Sequence, residues 1–336
     1  MLNETTIYGA FRDYHAYYEV VVAVISSLLN GLLMYLVMTT ENRVMRSYGW
    51  IVRMSVASDF IFTIVNVVSM EVVEIKGGVC FFLPLGPFRH SPYPYNFLMA
   101  SLFLGAVYTT VLTLGMQFVY RYCALCRTPL TVPQFAAMYF AGVSSMFAAS
   151  FASFFVFRGV TPQDTEILRQ HPAYQEDTPV YMAVDPTSVR STAHLIFTQV
   201  IIFGVYVVIV YTASKINKKV RDATAGMSKY TRKAHRQLNK VMIMQALYPG
   251  ILLGTPVIVA CVGVEFRLDV PWLGIYLVPS ASLLPIVNAI TVMTVIPSIR
   301  KRVFGRGWAD AGSTSRGVST ELKQRNLSKS LPNVEF

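Results

Sequence analysis

Seven stretches of about twenty or more apolar residues run through this chain, and they limit what it can become. They cover approximately residues 17–38, 50–73, 95–120, 132–157, 193–213, 241–264 and 270–299. A bilayer interior about 30 Å thick takes roughly 20 helical residues at 1.5 Å each. The fourth, sixth and seventh blocks are uninterrupted: no Asp, Glu, Lys or Arg falls between Pro133 and Phe157, between Val241 and Val264, or between Val270 and Ile299. The second carries Arg53, Asp59 and Glu71. Only 14% of all residues are charged, against about a quarter in soluble domains. Inside lipid the backbone must satisfy its own hydrogen bonds, so the expected fold is all-α, an integral membrane bundle of seven spanning helices. The first 16 residues are polar and do not have the pattern of a cleaved signal peptide, which makes the first block a signal anchor. The expected organisation is an outer N-terminal segment (1–16), a helical domain (17–300) and a disordered cytoplasmic tail (301–336).

The formal net charge is +11, which invites a nucleic-acid reading, but its distribution argues against one. Of 29 basic residues, 21 fall in the loops 39–49, 121–134 and 214–240 and in the tail from 298. With seven crossings these four segments share one side, and short basic loops stay in the cytoplasm. The N-terminus is therefore expected outside and the C-terminus inside. The partner implied is the lipid bilayer, with no nucleic acid. Two sequons test the topology: Asn3-Glu4-Thr5 is expected outside and glycosylated, Asn326-Leu327-Ser328 inside and unmodified.

Polar groups within the apolar blocks need a reason, because a central charge costs about 2.5–3.5 kcal/mol on insertion scales. Asn30 in the first block, Asp59 in the second and Asn288 in the seventh point to a hydrogen-bonded cluster inside the bundle. Such a cluster is either glue between helices or a switch that repacks between two states. Asp59 reads as the only acid deep in the bundle. Pro249, Pro256, Pro279, Pro285 and Pro297 remove backbone donors, and a bend in the sixth block would let its inner half pivot. Arg121 ends the third block in MQFVYRYCAL, where it is either a snorkelling charge at the membrane edge or a functional group facing the cytoplasm. The loop 214–240 has nine basic residues and one acid; it reads as a collar on anionic lipid or as a docking surface.

Other chemistries find no support. The five histidines are scattered without metal-ligand spacing, no glycine-rich phosphate loop is present, and no lysine lies within a block to hold a retinal Schiff base. No metal, cofactor or catalytic group is expected. Cys123 and Cys126 flank the inner membrane edge, as palmitoylation sites or as inert thiols. Cys80 and Cys261 face outward and are the candidate pair for a disulfide. For a ligand pocket, position in the outer half of the bundle suggests Tyr108, Gln199 and Tyr276.

Several ordered motifs add a resemblance. HRQLNKVMIMQALYPGILLGTP (235–256), with Gln245 and Pro249, looks like the start of the sixth helix of nematode seven-helix chemoreceptors. MQFVYRYCAL resembles the YRY that ends their third helix, NGLLMYLVMTTENRVMRSYGWIVRMSVASDF their first loop and second helix, and PIVNAITVMTVIPSIRKRVFG their seventh helix. The resemblance covers roughly residues 17–305 and is greatest to the serpentine receptor class Srd, with class str as neighbour. It implies a G-protein-coupled chemosensory receptor, not an enzyme, in the plasma membrane of a sensory cilium. It implies a small-molecule ligand, and a heterotrimeric G protein meeting Tyr120, Arg121, Tyr122, Lys233, Arg236 and Lys240. Asn30, Asp59, Gln245, Pro249 and Asn288 would form the intramembrane switch. The chain departs from rhodopsin-like receptors in having Tyr120 before the arginine, no NPxxY in the seventh helix and no cysteine in the loop 158–192. Two rivals stand beside this reading: a seven-span transporter or ligand-gated channel, and a non-signalling subunit of another receptor.

Overall fold

The computed structural model describes residues 4–40, 43–175, 177–222, 243–270, 272–296 and 299–305. Six helices are long and apolar enough to cross a bilayer: Tyr14–Met38, Gly49–Ser69, Tyr95–Cys126, Val132–Val156, Val189–Lys219 and Ile243–Glu265. A seventh crossing consists of two helices, Trp272–Ser282 and Leu284–Val295, that meet at a 40° bend. In chain order these are the first to seventh spans, one for each apolar block. The first helix begins at Glu4, so the outer N-terminal segment is helical from that residue.

The prolines mark where the helices deviate. Pro279 lies inside the upper helix of the seventh span and Pro285 in the first turn of the lower one; each lacks an N–H, and together they break the ladder at Leu283. In the sixth span Pro249 precedes a π-helical turn, Gly250–Gly254, before regular helix resumes at Thr255. Thr255 Oγ1 donates to the Gly250 carbonyl at 3.0 Å. Ser280 Oγ donates across to the Leu252 carbonyl at 2.6 Å, joining the two irregular segments.

The third span is the axis of the bundle, 72% buried, whereas the fourth is 17% buried and lies at the periphery. Close approach of the two rests on glycine: a Cβ on Gly105 would come 2.7 Å from the Phe147 ring, and one on Gly142 2.9 Å from Leu112. Small residues at such crossings let backbones pack where no hydrophobic effect drives association. Lower down, Leu33 and Leu36 of the first span pack with Val52 and Val56 of the second and Val292 and Met293 of the seventh.

The bundle also carries a three-stranded antiparallel sheet that the all-α expectation did not include. Strands β1 (Glu71–Lys76), β2 (Val79–Pro84) and β3 (Met182–Val184) pair in the order β1-β2-β3. Glu71, assigned by sequence to the second span, belongs to β1, because the span ends at Ser69 and Met70 turns the chain with a φ of 44°. Lys76 pairs with Val79 across Gly77 and Gly78, whose φ values are 58° and 74°. Two positive-φ residues make the primed two-residue turn that matches strand twist. The turn docks on the loop between the sixth and seventh spans: the Gly77 amide donates to Asp269 Oδ1 at 2.7 Å, and Lys76 pairs with Asp269 Oδ2 at 3.4 Å.

Side chains alternate across β2, as a pleated strand requires. Val79, Phe81 and Leu83 join Leu168, Tyr174 and Tyr181 in an outer core, while Cys80 and Phe82 face the bundle core. The outer layer is held by Arg158, whose guanidinium donates to both carboxylate oxygens of Asp164 (2.8 and 2.7 Å) and to Asp185 (2.8 Å). Asp164 sits in the first turn of the helix Pro162–Arg169, which Thr161 caps by accepting from the Asp164 amide at 3.1 Å. The result is a layered roof over one end of the bundle, the end that the charge distribution places outside.

Candidate functional site

A cavity of about 70 Å³ lies beneath this roof, between the third, fifth, sixth and seventh spans. Its walls are mostly aliphatic and aromatic, with Phe82 and Phe157 above and Leu253 and Val257 of the sixth span at the side. Cys80, Tyr108, His194, Thr198 and Cys261 are among its lining residues, but the surface facing the void is almost wholly apolar. Tyr108 Oη and Thr198 Oγ1 are 2.7 Å apart, and Thr198 Oγ1 also donates to the His194 carbonyl at 3.0 Å. The His194 ring packs edge-on against Phe157, and its Nε2 is buried with no hydrogen-bond partner among the described residues.

Of the three pocket residues suggested by sequence, only Tyr108 lines this cavity. Gln199 donates instead to Glu265 Oε1 at 2.7 Å. Tyr276 is 42% exposed beside Trp272. The one-residue offsets explain this: Thr198 and Leu277, their chain neighbours, are the residues that face inward. Cys80 and Cys261 share the cavity as free thiols, so the candidate disulfide is not formed. Burial pushes the Cys80 thiol well up, away from the thiolate that disulfide exchange requires.

Halfway down the bundle the polar groups read from sequence do meet. Asn288 Nδ2 donates to Asp59 Oδ1 at 3.3 Å. Asp59, Asn288, Gln117 and Gln245 surround a void of about 10 Å³, room for about one water. Gln117 donates to Ser55 Oγ at 3.1 Å. Asn30 stands apart from this group: its amide donates to the Ser26 carbonyl (3.1 Å) and the Pro285 carbonyl (3.2 Å), tying the first span to the seventh. Pro249 contributes through the π turn that follows it.

Asp59 is not the only deep acid. Glu19 of the first span is fully buried, accepting from Asn66 Nδ2 at 2.5 Å and from Ser282 Oγ at 3.3 Å. In the roof, Glu74 accepts from the Tyr174 hydroxyl at 3.3 Å and lies against Gly274 of the seventh span, with His171 Nε2 at 3.9 Å. Burial pushes the Glu74 carboxyl up to about 8, with the Tyr174 bond opposing. Burial lowers His171 to about 4, and Lys76 lowers it further. At pH 7 the 3.9 Å contact therefore joins two neutral groups and is not an ion pair. Sequence reasoning missed His194 and Glu19, although the rule that singled out Asn30, a polar group at the cost of an apolar block, applies to both.

At the opposite end Arg121 is 5% exposed, which removes the water-reaching geometry of a snorkelling charge. Tyr120 stacks edge-on against Phe135 of the fourth span at 4.9 Å, and Tyr122 meets Tyr211 of the fifth at 6.2 Å. Lys233, Arg236, Lys240 and the sequon Asn3 lie outside the described residues. Among the described residues, no group of three or more His, Cys, Asp or Glu could hold a metal ion.

This arrangement of seven spans, roofed at one end and centred on the third, matches the crystal structure of squid rhodopsin. The TM-score is 0.61, over 99% of this chain and 94% of that one, at 15% sequence identity. At that identity the likeness defines the fold alone, a bundle of seven helices. The sequence profile of the serpentine type 7TM GPCR chemoreceptor Str family matches residues 15–304. The chain belongs to that family, a multi-pass membrane receptor family and not an enzyme family. The match is to Str rather than to Srd, the class the resemblance put first. No curated protein matches this chain.

Proposed function

We propose that the chain is a chemosensory receptor of the plasma membrane that binds a small molecule beneath the outer roof and activates a heterotrimeric G protein at its inner face. The observation that carries this reading is the mostly apolar cavity beneath the roof at one end of a bundle whose other end buries Arg121. Between them lie the Asp59–Asn288 bond and the π turn of the sixth span, two elements able to adopt a second packing. A ligand shifts that equilibrium only by its differential affinity for the two states. In the active state the inner half of the sixth span swings outward below Pro249, and the cleft so opened admits the G protein to Arg121 and its flanking tyrosines. Lys233, Arg236 and Lys240 extend the docking surface, and Asn3 is glycosylated on the outer side.

Arg121→Ala is the test. Signalling through a G protein should be abolished while the amount of receptor at the cell surface stays near normal. Loss of surface expression would make Arg121 an element of folding instead. Ligand-evoked currents in membranes lacking any G protein would make the chain a channel or transporter. Failure of the purified chain to drive nucleotide exchange with any ligand would make it a partner subunit.

A further inference from the structure

The surface facing the cavity is almost wholly apolar, and that limits what can occupy it. None of the residues that line it is Asp, Glu, Lys or Arg, so a charged occupant would lose its hydration and find no counter-charge in return. The polar groups of the wall are turned to one another or covered. Tyr108 Oη and Thr198 Oγ1 are 2.7 Å apart, and Thr198 Oγ1 donates to the His194 carbonyl at 3.0 Å. His194 stands edge-on to Phe157 with its Nε2 buried. Cys80 and Cys261 bring thiols, which behave as small hydrophobes with weak donors. An occupant carrying a hydroxyl or an amine would therefore leave its own donor unmet.

What the wall offers instead is contact. Phe82, Phe103 and Phe157 supply aromatic surface, and the Phe82 and Phe157 rings stack at 6.0 Å. Leu253, Val257 and Leu277 add branched aliphatic groups from the sixth and seventh spans. Atoms that border a void forfeit dispersion contacts on that side, and apolar cavities take up apolar molecules such as benzene or xenon. The volume of about 70 Å³ compares with about 10–15 Å³ for one water in the same measure. That is room for roughly five non-hydrogen atoms.

We infer that the cavity takes a compact hydrocarbon-like compound, with neither a charge nor a hydrogen-bond donor, held by shape and dispersion alone. Small hydrocarbons and thioethers belong to this class; alcohols, amines and acids of the same size do not. Its meaning as a chemosensory ligand rests on the receptor reading.

The test uses five compounds that share one chain of five heavy atoms: pentane, diethyl sulfide, diethyl ether, butanol and butylammonium. Uptake by lipid nanodiscs holding the full-length chain is compared with uptake by empty discs of the same lipid, and butylammonium is scored by displacement of pentane. Dividing by the empty-disc value removes simple partition into the bilayer. On that scale pentane and diethyl sulfide should bind alike and diethyl ether less. Butanol should be weaker by about tenfold or more, and butylammonium should displace nothing. Ala260→Phe fills the void from its own wall and should abolish pentane uptake, whereas Ile243→Phe, on an exposed face of the same span, should leave it unchanged. Butanol matching pentane, displacement by butylammonium, or undiminished pentane uptake in Ala260→Phe would overturn the inference. So would uptake no greater than that of empty discs, the result expected if a lipid acyl chain fills the site. Pentane binding without nucleotide exchange on an added G protein would support the ligand class and remove the receptor reading. Exchange driven only by butanol or butylammonium would do the reverse.

Discussion

Replacing Glu74 by Gln should remove a pH dependence from the roof, and its size follows from the structure. The carboxyl is held protonated up to about 8 when the sheet is closed, but ionises near 4.5 once exposed. A group whose folded pKa is raised stabilises fully below its unfolded value and loses that contribution as pH rises through the folded one. His171 acts in the opposite sense, because its pKa falls from 6.5 to about 4 in the roof, so its contribution is lost as pH falls through that window. The two slopes offset each other between about pH 4.5 and 6.5, leaving Glu74 dominant between 6.5 and 8. Over that interval Glu74 alone should lower the free energy of opening the sheet by about 2 kcal/mol, some fifteen- to thirtyfold in the open population. Hydrogen exchange of the β1 and β2 amides, corrected for intrinsic rates, reads this directly. Glu71, raised well above its usual range by burial, has the same sign and should keep a residual slope in Glu74→Gln; the double change to Gln should flatten it. An unaltered slope in the double variant would refute the assignment of buried neutral carboxyls.

Two further outcomes follow from the roof. Arg158→Ala removes three hydrogen bonds and leaves the Asp164 carboxylate buried; the segment should open more easily by roughly 1–3 kcal/mol. Faster exchange of the Ala183 amide, which donates to the Arg158 carbonyl at 2.8 Å, would report it. Arg158→Lys should recover only part, since an ammonium cannot reproduce the fork. Gly78→Ala places a Cβ 2.7 Å from that of Arg267 at a φ of 74°. It should cost roughly 1–3 kcal/mol and lower the amount of receptor at the cell surface, whereas Gly31→Ala, with nothing within 4 Å, should not.

The spans were legible because lipid imposes both a length and a composition on them. The prolines also declared themselves: loss of an N–H is a local property, and Pro249, Pro279 and Pro285 each lie at an irregularity. The meeting of Asp59 with Asn288 followed from the cost of burying either alone. The sheet was concealed because a strand buried on both faces has the hydropathy of the helix before it, so Val72 and Val73 extended the second block. Gly77-Gly78 between two apolar runs was the available sign of a hairpin. The cavity was illegible for a different reason. Whether Thr198 or Gln199 faces inward depends on the rotation of a helix whose polar and apolar sides scarcely differ in lipid. Glu74 and Tyr174 lie far apart in the chain, and only folding brings them together.

The bend at Leu283 has a mechanical consequence. A straight rod would pass any tilt at its roofed end undiminished to the cluster below. The seventh span is instead an elbow, with its upper arm braced on Glu74 at Gly274 and its forearm holding Asp59 through Asn288. Ser280, just above the joint, grips Leu252 inside the loosened turn of the neighbouring sixth span. The two compliant points are thus yoked, and neither column can flex without pulling on the other.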